Sequence, residues 1–219
     1  LALACSIGGR TVTLGAIAKG SGMIHPNMGT MLCFLTTDCA ISSEMIKSAL
    51  LETVQASFNR ISVDGDTSTN DTCCVLANGL AGNPVITEKG PDYDAFVEAL
   101  RALCVELAKK MASDGEGATH LITCTVTGAG SEQSAETVAK SVIGSALTKA
   151  AIFGADANWG RVLCAMGRGL DFDEDLAKRV LTEHDVTIAI TMGEGDSSCT
   201  CWGCDLTYEY VKINGDYRT

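Results

Sequence analysis

The chain has 219 residues and a formal net charge of −11, and hydrophobic residues make up 46% of it. This length suits one large domain, or a domain with a small subdomain, and the apolar share is enough for a buried core. The negative net charge and the lack of a basic cluster argue against a nucleic-acid-binding surface, so we expect no nucleic-acid partner. No apolar run approaches the roughly 20 residues that a membrane-spanning helix needs.

The cysteine content indicates a reducing environment. Eleven cysteines are present, and an odd number is unusual for a disulfide-stapled secreted domain. Several of them, such as Cys33 and Cys124, lie in apolar runs, as small buried side chains do. We therefore expect a cytoplasmic location. Because the chain has no initiating Met and begins within a predicted strand, we also expect further sequence upstream.

The sequence of the first half predicts a hairpin, then a glycine-rich loop, and then strands and helices. Gly8 and Gly9 form the hairpin turn between strands at 3–7 and 11–17. Ser42 or Ser43 caps a helix whose apolar face holds Ile46, Leu50, Val54 and Phe58. The other predicted elements are a loop at 19–29, a strand at 30–36, a short strand at 61–63, a polar loop at 64–71 and a strand at 72–77.

The second half begins with a long helix from Pro91, whose apolar residues recur at helical spacing as far as Met111. Next come a strand at 119–126, a helix opened by Ser131 with Val138, Val142, Ala146 and Leu147 on one face, a helix at 156–166 and a short helix at 173–181. The C-terminal part predicts a strand at 186–192, a loop at 193–203 and a strand at 206–213. This order lacks the regular alternation of a doubly wound sheet, so we predict an α/β fold with helices covering the sheets.

The most informative run is Lys-Gly-Ser-Gly-Met-Ile-His-Pro-Asn-Met-Gly-Thr-Met-Leu, at residues 19–32. A Gly29–Thr30 junction between a glycine-rich loop and a buried strand suits a self-cleaving N-terminal nucleophile. In such a protein, the threonine attacks the preceding carbonyl, and its freed α-amine then serves as the base. An α-amine has a reference pKa of about 7.7–8.0, so an appreciable fraction is neutral near pH 7.

Two charged residues could complete a site around Thr30. Lys19, beside the glycine-rich loop, could bind a substrate carboxylate or an oxyanion, although an isolated lysine is more often simply solvated. Glu116 lies between two glycines where a helix gives way to a strand. Such a backbone can deliver a carboxylate into a cleft, and an ordinary turn residue explains the spacing equally well.

Two other clusters favour structural interpretations. The acidic run at 64–72 lacks the spacing and distal glutamate of an EF-hand, so turn chemistry, with side chains that cap backbone groups, is the better interpretation. Cys199, Cys201 and Cys204 lack the fourth ligand of a structural zinc site. We therefore predict no metal site.

Taken together, these motifs resemble those of the ornithine acetyltransferase (glutamate N-acetyltransferase) family. The matching segments are the run at 19–32, Asp-Gly-Glu-Gly-Ala-Thr at 114–119, Asp-Ala-Asn-Trp-Gly-Arg at 156–161 and the C-terminus at 211–219. Gly29 and Gly215 stand where the family commonly has alanine. The resemblance implies a layered αββα arrangement like that of N-terminal nucleophile hydrolases. It also implies cleavage between Gly29 and Thr30, so that residues 1–29 end an α segment and residues 30–219 form a β segment.

The resemblance further implies the reaction and the residues that perform it. Acetyl would move from N2-acetylornithine to glutamate through an acetyl-Thr30 intermediate, in arginine biosynthesis and without a cofactor. Some members also use acetyl-CoA, and the sequence leaves that use open. The implied substrate-binding residues are Lys19, Thr30, Glu116, Asn214 and Thr219.

The resemblance implies partners as well. The upstream α segment would supply the oxyanion hole, and two α and two β chains would form a heterotetramer. Two alternatives stay open. One is a related N-terminal nucleophile amidohydrolase or aminopeptidase, and the other is a non-enzymatic binding protein on the same fold.

Overall fold

The computed structural model describes residues 1–25, 31–167 and 180–216. The chain divides into two compact units. The first comprises Leu1–Gly20, Pro26–Asn59 and Thr67–Ala108, and the second comprises Ser21–His25, Arg60–Asp66 and Lys109–Thr219. These units differ from the predicted segments 1–29 and 30–219, because those segments are defined by a cleavage point and not by a fold boundary. The segment division stays a prediction.

The described residues form strands and helices in the following order: β1 (Ala2–Ile7), β2 (Arg10–Lys19), β3 (Leu32–Thr37), α1 (Ser43–Gln55), β4 (Ile61–Ser62), β5 (Thr72–Ala77), α2 (Pro91–Ser113), β6 (Leu121–Ala129), α3 (Glu132–Gly144), α4 (Ala146–Phe153), α5 (Trp159–Met166), β7 (Asp185–Thr191), β8 (Ser197–Cys204) and α6 (Tyr208–Asp216). None of the helices in this part of the chain is both long and apolar enough to cross a membrane. All eleven cysteines lie in this part, and each has a free thiol.

The first unit is built on a sheet with the strand order β1-β2-β3-β5. The predicted hairpin is confirmed: β1 and β2 pair antiparallel, and Gly8 and Gly9 make the turn with φ values of +55° and +73°. Such positive φ values favour glycine because it has no Cβ. β3 pairs antiparallel with β2 and parallel with β5. The predicted cap of α1 is also confirmed, because the Ser42 hydroxyl accepts from the Met45 amide at 3.3 Å.

The second unit is built on a sheet with the order β4-β8-β6-β7. Inward-facing residues of β6, β7 and β8 pack with α3 and α5 into one core, whose members include Ile122, Val126, Val142, Ile143 and Ile188. Each unit thus has a sheet with helices packed against it, and the predicted α/β class is confirmed.

The C-terminal part contradicts two predictions. The predicted loop at 193–203 contains strand β8, which lies between β4 and β6 in the second sheet. Its small serine, cysteine, threonine and glycine residues hid the apolar pattern of a buried strand. The predicted strand at 206–213 is instead the helix α6. The Thr207 hydroxyl accepts from the Tyr210 amide at 3.2 Å, and this local cap starts a helix despite alternating aromatic residues that suggested a strand.

Two helix boundaries also differ from the prediction. α1 ends at Gln55, so Phe58 lies in a short 3-10 turn and not on the face of that helix. α3 ends at Gly144, because the Ser145 hydroxyl accepts from the Thr148 amide and starts α4. Leu147 therefore belongs to α4 and is 56% exposed. The predicted helix at 173–181 lies almost entirely outside the described residues.

Candidate active site

The second unit brings two of the predicted substrate-binding residues into contact. The side-chain amide of Asn214 donates to Oε2 of Glu116 at 2.9 Å, and to the Tyr210 carbonyl at 3.0 Å. Glu116 lies in the loop between α2 and β6, whereas Asn214 lies on α6. The amide satisfies one carboxylate oxygen and orients the other, so Glu116 is held as an acceptor for a further donor.

The loop that carries Glu116 is anchored by the residues that follow β8. Oδ1 of Asp205 accepts from the amides of Thr119 and His120, at 2.8 and 3.0 Å, and Oδ2 accepts from the Thr119 hydroxyl at 2.5 Å. Burial raises the pKa of Asp205, but the hydrogen bonds from Thr119 and His120 outweigh burial and lower it. The Thr207 hydroxyl also donates to the Gly117 carbonyl at 2.7 Å. The backbone that follows Glu116 is therefore held at three residues.

The first part of the glycine-rich run lies against the same loop. The Glu116 amide donates to the Ser21 carbonyl at 2.9 Å. Gly22 lies so close to the Glu116 side chain that a Cβ at this position would be 2.5 Å from its Cδ. A side chain at this position would therefore displace the Glu116 carboxylate from where it lies.

Asp64 clamps the next two residues of the run. Its carboxylate accepts from the Met23 amide at 2.6 Å and from the Ile24 amide at 3.0 Å. Met23 has a φ of +54°, in the left-handed region that disfavours residues with a side chain. The clamp thus holds a strained backbone in place. The predicted turn chemistry of the acidic run is confirmed by a local contact, because Oδ1 of Asp64 also accepts from the Asp66 amide at 3.2 Å.

The electrostatic field at this site is negative. Burial first, and then the charges of Asp64, Glu116 and Asp66, raise the pKa of Tyr210 to about 12. No lysine or arginine among the described residues of the second unit forms an ion pair with Glu116. A site with these features favours a cationic group such as an ammonium.

The other predicted residues lie elsewhere or outside the described part. Lys19 is exposed at the end of β2 in the first unit, where it pairs in register with Leu32 of β3. The described chain resumes at Met31, whose amide donates to Oδ1 of Asp71 and whose carbonyl accepts from the Thr72 amide at 2.8 Å. Gly29, Thr30 and Thr219 lie outside the described residues.

Comparisons with known proteins decide the family. The ArgJ family model matches residues 1–171 and 168–219. The chain belongs to the ArgJ family. The arginine biosynthesis bifunctional protein ArgJ of Symbiobacterium thermophilum is 52% identical over 97% of this chain, and that of Bacillus subtilis is 48% identical over 98%. This chain spans 59% of the length of each of these relatives. A crystal structure of the ArgJ protein from Bacillus halodurans is 44% identical, with a TM-score of 0.79, and the match covers 84% of this chain and 98% of that chain. The resemblance found in the motifs is therefore confirmed.

Two other motifs of this ArgJ-family chain lie apart from the predicted site residues. The run at 156–161 borders a cavity of about 290 Å³ with largely apolar walls that include Trp159, Val162 and Ile188, and none of the predicted site residues lines it. Cys199 and Cys201 face each other with their sulfurs 3.9 Å apart, and both are buried. No group of three potential ligands in the described ranges is arranged to hold a metal ion.

Sequence reasoning missed the contacts of two aspartates and the helical position of Tyr210. Asp64 and Asp71 were treated as turn residues of one acidic run, and their attachment to the glycine-rich run depends on contacts about 40 residues apart in sequence. Tyr210 was assigned to a strand. No signal in the sequence pairs these aspartates with the amides that they bind.

Proposed function

We propose that this ArgJ-family chain is a portion of a glutamate N-acetyltransferase that moves acetyl from N2-acetylornithine to glutamate in arginine biosynthesis. The observation that carries the proposal is the contact between Glu116 and Asn214, built against Gly22 in the run that leads to Thr30. This contact joins three separate family motifs in one place.

The charge of the site supports an amino-acid substrate with a cationic side chain. Glu116 has one oxygen held by Asn214 and a second oxygen oriented by that contact. The ammonium of ornithine is a suitable donor for it, because charge-assisted hydrogen bonds are among the strongest. We assign the substrate carboxylate to Lys19 and a further substrate contact to Thr219.

The chemistry we propose is a two-step transfer through Thr30. The Thr30 hydroxyl oxygen attacks the acetyl carbonyl of N2-acetylornithine while the free α-amine of Thr30 takes the hydroxyl proton. The carbon–nitrogen bond then breaks, and ornithine leaves with that proton on its amine. In the second step, the amine of glutamate attacks the acetyl ester and loses a proton to the Thr30 amine. That proton returns to the Thr30 oxygen as N-acetylglutamate leaves.

The free α-amine requires self-cleavage between Gly29 and Thr30. The Thr30 hydroxyl attacks the Gly29 carbonyl, the acyl group moves from nitrogen to oxygen, and water hydrolyses the resulting ester. The length of the matched crystal chain supports a polypeptide that begins near Thr30. It is covered almost completely by 84% of this chain, and residues 30–219 make up a similar share.

The remaining parts of the proposal concern partners. An upstream α segment supplies the oxyanion hole, and two α and two β chains assemble in the cytoplasm. No cofactor takes part. The name "bifunctional" of the relatives favours a second acetyl donor, for which we propose acetyl-CoA. Because each oxyanion donor is worth about 100- to 1000-fold in rate, we expect the 219-residue chain alone to have little activity.

The test is intact mass spectrometry of the protein expressed with its upstream half, in parallel with Thr30→Ala. We expect the wild type to give two polypeptides that divide at Gly29–Thr30, and the variant to stay whole and inactive. An uncut wild type with full acetyl transfer would remove the α-amine from the mechanism. Product analysis with and without glutamate separates transfer from hydrolysis, because an amidohydrolase releases acetate in both cases.

A further inference from the structure

Lys149 is a buried cation that the proposed reaction does not use. It lies on α4 with 3% of its surface exposed. Its Nζ donates to the Val63 carbonyl at 2.6 Å and contacts the Cys204 sulfur at 3.7 Å. No carboxylate in the described part of the chain forms an ion pair with it. Because a buried ammonium without a charged partner is costly, its retention calls for a reason.

The Cys204 thiol does not supply the missing charge. Burial raises the pKa of this thiol, and Lys149 offsets only part of that effect. The thiol is therefore neutral near pH 7, and the strongest contact of Lys149 is the one with the Val63 carbonyl. A carbonyl accepts well from an ammonium, because the bond is charge-assisted.

Val63 connects Lys149 to the clamp on the glycine-rich run. The Val63 amide donates to the Ile24 carbonyl at 2.7 Å, and the Val63 carbonyl accepts from Lys149. The next residue is Asp64, whose carboxylate holds the Met23 and Ile24 amides. The peptide groups before and after Val63 are thus both hydrogen-bonded, and the one that binds Lys149 is the peptide that leads to Asp64.

The same packing reaches the Glu116 loop. A Cβ on Gly115 would be 2.9 Å from the Cys204 sulfur and 3.0 Å from Cγ1 of Val63. The residue before Glu116 therefore lies against the Cys204 sulfur, which contacts Lys149, and against the side chain of Val63, whose carbonyl accepts from Lys149. One buried ammonium supports the clamp on Met23 and Ile24 as well as the base of the Glu116 loop.

We propose that Lys149 is a positioning residue that keeps the glycine-rich run and Glu116 in the geometry that binds substrate, through its hydrogen bond to the Val63 carbonyl. The inference rests on the proposed function only for its expected effect on the KM for N2-acetylornithine. Its structural consequence, the order of residues 21–25, is independent of the reaction.

The test uses the full protein with its upstream half and the variant Lys149→Met, which keeps the length and apolar stem of the side chain but donates no hydrogen bond. We expect the amides of Met23 and Ile24 to exchange with deuterium at least tenfold faster than in the wild type. We expect the KM for N2-acetylornithine to rise about fivefold or more, with a smaller change in kcat. Lys149→Arg keeps a charged hydrogen-bond donor, so we expect its amide exchange and its KM to lie between those of Lys149→Met and the wild type.

The matched control is Thr148→Val, on the same helix and 1% exposed. Its hydroxyl has no hydrogen-bond partner within the described residues, so exchange at residues 21–25 should stay at the wild-type rate. Wild-type exchange at Met23 and Ile24 in Lys149→Met would overturn the proposal. If Lys149→Met does not fold, Lys149→Gln is measured in the same way. The glutamine side chain is one atom shorter than that of lysine, so its amide does not reach the Val63 carbonyl. Wild-type exchange at Met23 and Ile24 in this variant would equally overturn the proposal. A wild type that transfers no acetyl group would refute the proposed function and leave the exchange result valid.

Discussion

Two aspartates of the acidic run at 64–72 accept backbone amides of the glycine-rich run in different ways. Asp64 accepts two backbone amides, those of Met23 and Ile24, with its two oxygens. Asp71 accepts only the Met31 amide with Oδ1, and its Oδ2 is buried without a hydrogen-bond partner among the described residues. The first carboxylate is a satisfied clamp, whereas the second has one oxygen without a partner among the described residues.

The fold disfavours the charged form of Asp71. Burial raises the pKa of Asp71, and the hydrogen bond from Met31 offsets only part of that effect. The charged form of Asp71 is therefore less stable in the fold than in the unfolded chain. A buried polar group that lacks a partner calls for an explanation, and function is one of the usual ones. Asp64 should thus matter mainly for structure, and Asp71 mainly for chemistry at Thr30.

The largest effect is expected from Asp64→Ala. It removes the acceptor of two amides and releases Met23, whose φ of +54° is strained. We expect a loss of about 1–3 kcal/mol in the free energy of unfolding, measured by urea denaturation, together with a higher KM for N2-acetylornithine. Asp66→Ala, which removes a neighbouring charge but no such clamp, is the control. Equal urea midpoints for the two variants would contradict the clamp.

Gly22→Ala tests whether the part of the glycine-rich run that Asp64 holds is rigid. The added Cβ would be 2.5 Å from Cδ of Glu116, and the end of that side chain can move away at little cost. If Asp64 holds the backbone, the Glu116 side chain must turn away from Asn214. We therefore expect the KM for N2-acetylornithine to rise about tenfold, which corresponds to about 1.4 kcal/mol of binding free energy. The unfolding midpoint should change little.

The control for this substitution is Gly144→Ala, because a Cβ there meets nothing within 4 Å. We expect its steady-state kinetics to match those of the wild type. A Gly22→Ala protein that unfolds much earlier but keeps its KM would show that the loop gives way instead of Glu116, and that the clamp is weaker than its hydrogen bonds suggest.

The sequence predicted those parts of the molecule whose signals are local. The Gly8-Gly9 turn, the Ser42 cap and the helix from Pro91 each depend on neighbouring residues, and the structure confirms all three. Strand β8 was missed, because its burial comes from its place between β4 and β6 and not from an apolar pattern. The motif match identified Glu116 and Asn214 as site residues. Their supports, Asp64 and Lys149, are long-range contacts that no spacing reveals.

The smallest effect on stability, and the sharpest test of the comparison, is expected from Asp71→Asn. The amide oxygen can still accept from Met31, but the buried negative charge is lost. Because the pKa of Asp71 is raised in the fold, its carboxylate costs stability above that pKa and costs nothing once it is protonated. We therefore expect the variant to be slightly more stable than the wild type at pH 7. The gap should shrink as the pH falls through the raised pKa, in urea titrations on the uncleaved Thr30→Ala background.

The same substitution should slow self-cleavage. When the acyl group moves from nitrogen to oxygen, the Thr30 nitrogen gains a proton, and a carboxylate that binds the next amide in the chain stabilises the positive charge. Even at the screening of bulk water, two opposite charges about 4 Å apart attract by about 1 kcal/mol. Loss of this attraction corresponds to a cleavage rate at least about fivefold lower, measured by gel electrophoresis over time. Asp66→Asn removes a charge from the same loop and should cleave at the wild-type rate. A variant that is more stable yet slower to cleave would show that Asp71 is kept for the reaction at Thr30, whereas unchanged cleavage would make it a turn residue like its neighbours.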